Sequence, residues 1–302
     1  MGRDWNQTFS NWSAGPSDTE EKKISNTLTQ IRAAIQNDLK LKTKDIELFV
    51  QGSYRNNVNV RLDSDIDVGV ISGESFHIGS FDHELSKKID SKYARATYQY
   101  SEFKNDLENA LKMYFGSKNV GRGNKAFDIH ESTTRVDADV VALIEYRWYN
   151  DEANYTSGVL LYPDNSKPEK VINWPEQHYA NGVAKNNSTG RRYKRVVRIM
   201  KKLRIEMLEK GYLYLENVCG FLIECLIWNT PNSTLTNSDD YYKTIKNVII
   251  YLYDELDKKE NYKNWTEVSK MKYLFRSTQP WNKDDTQKFI KDAWNYIGYQ
   301  ND

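Results

Sequence analysis

Asp65-Ile66-Asp67 constrains this 302-residue chain more than any other feature. It lies in the segment SDIDVGVIS (64–72), whose alternation has the period of a half-buried β-strand. Alternate residues of a strand share a face, so both carboxylates point one way while Ile66 and Val68 enter a core. Two like charges side by side are costly unless a cation lies between them, and a hard ion such as Mg²⁺ suits an all-oxygen pair. Upstream, 46–50 reads as a short strand running into Gly52-Ser53, and eleven residues separate Ser53 from Asp65. A glycine there lets backbone amides approach a phosphate, and the Ser53 hydroxyl can add a bond. A third carboxylate on a neighbouring strand would complete a two-metal site. Asp139, in VDADVVAL, is the candidate: Val136, Ala138, Val140 and Ala142 share one face, Asp137 and Asp139 the other. An isolated D-x-D is usually a solvated pair; the spaced combination carries the metal reading. Asp63, at the strand's entrance, and Asp137, read as a salt-bridge partner, are the local competitors.

The rest of the chain divides into a mixed-sheet part and a helical part. Residues 1–17 read as a loose lead-in, with Ser17-Asp18 capping a helix that carries Ile24, Leu28, Ile31 and Ile35 on one stripe. A helix is expected over about 101–115 and strands around 127–131 and 135–146. The Asn-, Tyr-, Pro- and Gly-rich stretch 147–190 reads as long loops with short strands. Helices follow near 191–210, 217–229, 238–257 and 283–299. The expected domains are 1–170, a core lobe with the N-terminal helix, and 171–302, a helical lobe, with a ligand groove between them. Lys+Arg at 43 against Asp+Glu at 42 leaves a net charge of +1, which disfavours a protein built to grip long nucleic acid. No signal-like N-terminus and no apolar run of about 18 residues is present, and Cys219 and Cys225 are not spaced to pair on a helix, so an intracellular, cytoplasmic chain is expected. His130 and His178 lack metal-ligand spacing.

In the helix at 191–210, Tyr193, Val196, Met200, Leu203 and Met207 form an apolar stripe beside a line of Lys194, Arg198 and Lys201. Three cations on one line suit a triphosphate tail. Trp174-Pro175 and Tyr179 are candidates for base stacking or packing. Asn173, Asn181, Asn186 and Asn187 are candidates for reading a base edge through paired donor and acceptor.

The G-S…D-x-D…D pattern resembles that of the polymerase-β-like nucleotidyltransferase superfamily. The strings GSYRNNVNVRLDSDIDV, GRGNKAFDIH, VDADVVAL, VINWPEQHYANGVAKN and RRYKRVVRIMKKLR are similar to the bacterial cGAS/DncV-like nucleotidyltransferases, in the expected order over about residues 45–230. The resemblance implies an α+β fold, a polymerase-β-like mixed-sheet lobe packed on a C-terminal helical lobe. It implies an enzyme that makes a cyclic di- or trinucleotide messenger from NTPs in antiphage defence, the product activating a separate effector protein. Two Mg²⁺ ions, with Mn²⁺ as a substitute, would be held by Asp65, Asp67 and Asp139. Gln51, Gly52, Ser53, Lys201 and, next, Lys194 would hold phosphates. A monomer is expected, with no membrane and no obligate nucleic-acid partner. Nucleotide transfer to RNA ends, a protein or a small molecule is the alternative, and an inactive nucleotide-binding module the further one. One departure stands out: where relatives tend to carry a phosphate-binding serine, this chain has Gly220, with Glu224 after it read as structural.

Overall fold

The alternating segment pairs on both sides. In the computed structural model, which describes residues 3–15, 18–60, 65–257 and 261–301, the strand after Asp65 lies inside the sheet. The first half of the chain holds α1 (Trp5–Trp12), α2 (Asp18–Asn37), β1 (Ile46–Gln51), α3 (Gly52–Arg55), β2 (Ile66–Gly79), α4 (His83–Asp90) and α5 (Tyr100–Phe115). Then come β3 (Val120–Arg122), β4 (Phe127–Ile129), β5 (Ala138–Tyr149), β6 (Tyr155–Leu161) and β7 (Val171–Asn173). The remainder is helical: α6 (Pro175–Ser188), α7 (Arg192–Glu209), α8 (Gly220–Asn229), α9 (Asn232–Thr236), α10 (Tyr241–Asp257) and α11 (Lys283–Ile297).

Among the described residues seven strands form one mixed sheet. β1 runs antiparallel to β2, and β2 runs parallel to β5. A parallel pair needs a long crossover; α4 and α5 lie in it. β4 and β6 pair antiparallel with the first and second halves of β5, and β3 and β7 extend the two branches. Ile66, Val68, Val70, Ala138, Val140 and Ala142 bury one face of the sheet against Ile31 and Ile35 of α2 and Phe103, Leu107 and Leu111 of α5.

The chain forms two compact units. One contains the sheet, with α2 to α5. The other gathers α1, residues 56–60 and the chain from 176 onward around a core that includes Phe9, Val58, Tyr193, Met200 and Leu226. Among the described residues no helix is long and apolar enough to cross a membrane. Cys219 and Cys225 are free thiols.

Three expectations are corrected. The N-terminal segment is not a loose lead-in: Asp4 caps α1 by accepting from the Gln7 amide at 2.9 Å, and Trp5, Phe9 and Trp12 recur at helical spacing, with Phe9 fully buried. The stretch 147–190 is not mainly loop; it holds the end of β5, then β6, β7 and α6. The strand begins at Ile66 and extends to Gly79 through a register shift between Ser72 and Phe76. Asp63 and Ser64, like Ser17, lie outside the described residues.

Truncating Phe9 removes a ring packed 5.2 Å from Trp5 and 5.9 Å from Trp12. Phe9→Ala should destabilise the protein by about 3–5 kcal/mol. Wild-type denaturant melting of that variant would mean α1 contributes nothing to the core.

Candidate active site

The parallel pairing of β2 with β5 sets Asp67 directly beside Asp139, because the apolar partners Ile66–Ala138 and Val68–Val140 lock the register on the buried face. Asp65 precedes β2 and is exposed; Asp67 and Asp139 are half-buried. The antiparallel partner of Asp139 on its other side is Asp128 of β4, and the two carboxyls share a hydrogen bond. Burial, then Asp128, then the charges of Asp65 and Asp67 push Asp139 up to about 7. Asp65 is raised by burial and by Asp137 and Asp128. Carboxylates are therefore concentrated where β2, β5 and β4 lie side by side.

Asp137 has a different use. Its carboxylate accepts the Glu131 amide at 2.6 Å and its carbonyl accepts the Ile66 amide at 3.0 Å, so it closes the turn before β5 and seats the start of β2. Asp128 was not singled out by the sequence reading. Its signal is the pattern Phe127-Asp128-Ile129, with both flanking residues buried and the carboxylate exposed.

Gly52 opens α3 with φ +69°, and a Cβ on it would stand 1.9 Å from Asp67 Oδ2. The glycine is needed for the backbone turn and for the carboxylate that lies against it. Gln51 pairs with Asp67 in register, and Ser53 follows in the first turn of α3.

The carboxylates form a hard, all-oxygen donor set that fits a divalent ion such as Mg²⁺. Among the described residues no three His, Cys, Asp or Glu side chains stand close enough to hold an ion as they are. Asp139 meets Asp128 through their hydrogen bond, and the charges of Asp65 and Asp67 act on it.

In the helical unit the three cations of α7 differ. Arg198 is buried and donates to Ser13 O (2.8 and 2.6 Å) and Asn57 O (2.6 Å), which removes it from the proposed phosphate line. Lys201 is also buried and donates to Val58 O at 3.2 Å. Lys194 is half-buried, its backbone amide held by Asn186 Oδ1 at 3.2 Å and its ammonium 5.7 Å from the Tyr179 ring. Of the other asparagines, Asn181 donates to Val268 O at 2.8 Å, whereas Asn173, at the end of β7, and Asn187 are exposed. Trp174 is buried, its ring edge-on to Tyr146 at 6.2 Å, which is packing.

Comparison with known proteins agrees with the geometry. A nucleotidyltransferase domain model matches residues 29–118, and the model of the cGAS/DncV-like nucleotidyltransferase C-terminal helical domain matches 180–298. β1 and β2 thus lie within a nucleotidyltransferase domain. The chain is 44% identical to a cyclic dipyrimidine nucleotide synthase CdnE of Legionella pneumophila, covering 98% of this chain and 99% of that protein. It is 39% identical to one of Cecembia lonarensis, covering 96% and 97%. The solved Rhodothermus marinus CdnE c-UMP-AMP synthase superposes with TM-score 0.83 at 30% identity, covering 97% of each chain. This chain belongs to the cGAS/DncV-like nucleotidyltransferases, a class of enzyme that needs a divalent metal ion.

The raised Asp139 has a measurable consequence. In metal-free protein the folded state keeps this proton up to about pH 7, whereas an unfolded aspartate releases it near the ordinary aspartate value of 3.8. Folding stability should therefore fall as pH rises between those values, and level off above. Asp139→Asn should abolish that loss, so its melting temperature with a chelator should overtake wild type as pH rises. Parallel pH profiles for the two proteins would refute the carboxylate crowding.

Proposed function

We propose that this enzyme joins two pyrimidine nucleoside triphosphates into a cyclic dinucleotide messenger of antiphage defence that acts on a separate effector. The observation that carries the reaction is the register of Asp67 beside Asp139, with Asp65 two residues before Asp67 and Gly52 against it. The pyrimidine choice is supported by the two relatives named dipyrimidine synthases, at 44% and 39% identity, against 36% for a cyclic dipurine synthase of Elizabethkingia meningoseptica.

In this reading Asp65, Asp67 and Asp139 would hold the two Mg²⁺ ions. Bound ions would favour ionisation of a ribose hydroxyl and neutralise triphosphate charge. The hydroxyl oxygen of one nucleotide bonds to the α-phosphorus of the other, the bond to pyrophosphate breaks, and a second round closes the ring. Gln51, Gly52 and Ser53 are proposed phosphate ligands, as are the cations Lys194 and Lys201. Asp137, engaged with Glu131, is a structural neighbour. Asn173, exposed at the end of β7, is the proposed base-reading residue, because an amide carries a donor and an acceptor side by side. Asn181 instead holds the backbone at Val268.

Purified protein given each labelled NTP singly and in pairs, with Mg²⁺, should protect UTP or CTP label from phosphatase in a product with the mass of a closed ring. Long chains, or label only on added RNA, would overturn the cyclase reading while leaving the metal site intact. Replacing Asp65 and Asp67 by Asn should reduce synthesis by at least about 10³-fold with the fold retained, since charge stabilisation worth several kcal/mol is lost. Asn173→Ala should lower pyrimidine use by on the order of tenfold relative to purine use. An unchanged ratio would place base selection elsewhere.

A further inference from the structure

Glu224 lies in the middle of α8, between Ile223 and Cys225, and is only 3% exposed. An ionised carboxylate in such an apolar turn is costly unless it is paired. Its two oxygens are divided: Oε1 is 2.8 Å from Nε2 of His178 on α6, and Oε2 is 3.8 Å from Nζ of Lys201 on α7. His178 and Lys201 are themselves 8% and 6% exposed. Three helices thus meet at one buried carboxylate.

The ammonium of Lys201 is incompletely satisfied. It has three N–H groups. Among the described residues it makes one hydrogen bond, to Val58 O at 3.2 Å, and the 3.8 Å approach to Glu224 is an ion pair beyond hydrogen-bond distance. A buried cation with unused donors is arranged to receive further oxygen. Gly220 contributes to the arrangement: a Cβ there would stand 3.3 Å from Cε of Lys201 and 3.8 Å from Nζ. A side chain at position 220 would press on the end of this lysine.

We propose that Glu224 is a positioning residue for substrate binding: anchored by His178, it aims the Lys201 ammonium at a nucleoside triphosphate oxygen, with Gly220 supplying the clearance. This rests on the reading of Lys201 as a phosphate-binding group. The electrostatics agree. Although burial works against its charge, Glu224 is held below the usual carboxylate range by His178 and then Lys201. Burial lowers Lys201, and Glu224 is the leading influence opposing it.

The test is a double-mutant cycle in the full chain. Binding of a UTP analogue with a non-hydrolysable α,β-bridge is measured with Mg²⁺ by calorimetry, beside kcat and KM for UTP. Lys201→Ala should weaken binding by on the order of tenfold or more. Glu224→Gln, which keeps the shape but removes the charge, should weaken it by a similar factor, raise KM more than it lowers kcat, and have no further effect in the Lys201→Ala background. If Lys201→Ala binds normally, the phosphate reading of Lys201 fails and the positioning role falls with it. If Lys201→Ala weakens binding but Glu224→Gln does not, or the two effects multiply, the positioning role alone is wrong. Should Glu224→Gln not fold, Gly220→Ala carries the same test: it crowds the lysine with Glu224 in place, and its loss must also vanish in the Lys201→Ala background.

Discussion

The parallel ladder between β2 and β5 is the constraint on which the sheet depends. Its buried side is a continuous apolar surface, so a slip of one residue would turn Val68 and Val140 outward and Asp67 into the core. The hydrophobic effect therefore sets the alignment of the carboxylates, and the energy that opposes their mutual repulsion comes from the opposite face of the same strands. Asp128 enters the cluster by the same route, because Phe127 and Ile129 seat β4 against β5.

The helical unit spends charge differently. α7 buries a stripe of apolar side chains and, among them, the cations Arg198 and Lys201. Arg198 is consumed by the carbonyls of Ser13 and Asn57, so its role is to fix the N-terminal segment and the short stretch 56–60 to α7. Lys201 reaches the same short stretch at Val58 but keeps donors in reserve. A line of like residues in sequence thus resolves into separate tasks once their partners are known.

Much of this was legible from periodicity. Ile24, Leu28, Ile31 and Ile35 define α2, and the alternation around Asp67 and Asp139 defines β2 and β5. The elements missed are those that tertiary contacts impose on poor local sequence. α6 carries Asn181, Gly182, Asn186 and Asn187, all weak helix formers, and is held by His178 against Glu224 and by Asn181 against Val268. Asp128 was overlooked because a three-residue strand is too short to show a period. The use of Arg198 was hidden because its partners are carbonyls of residues 185 and 141 positions away, for which side-chain pattern carries no signal.

The contact between Gly52 and Asp67 changes how the Gly-Ser pair is to be understood. A glycine in such a turn is commonly explained by the ligand whose phosphates must come near the backbone. Here the space a Cβ would take is occupied by the protein's own carboxylate, 1.9 Å away, before any ligand arrives. Position 52 is thus coupled to position 67 as a packing pair across the strand register. In a diverging lineage, loss of the carboxylate at 67 would relieve the contact but not the positive φ, so Gly52 would outlast its partner.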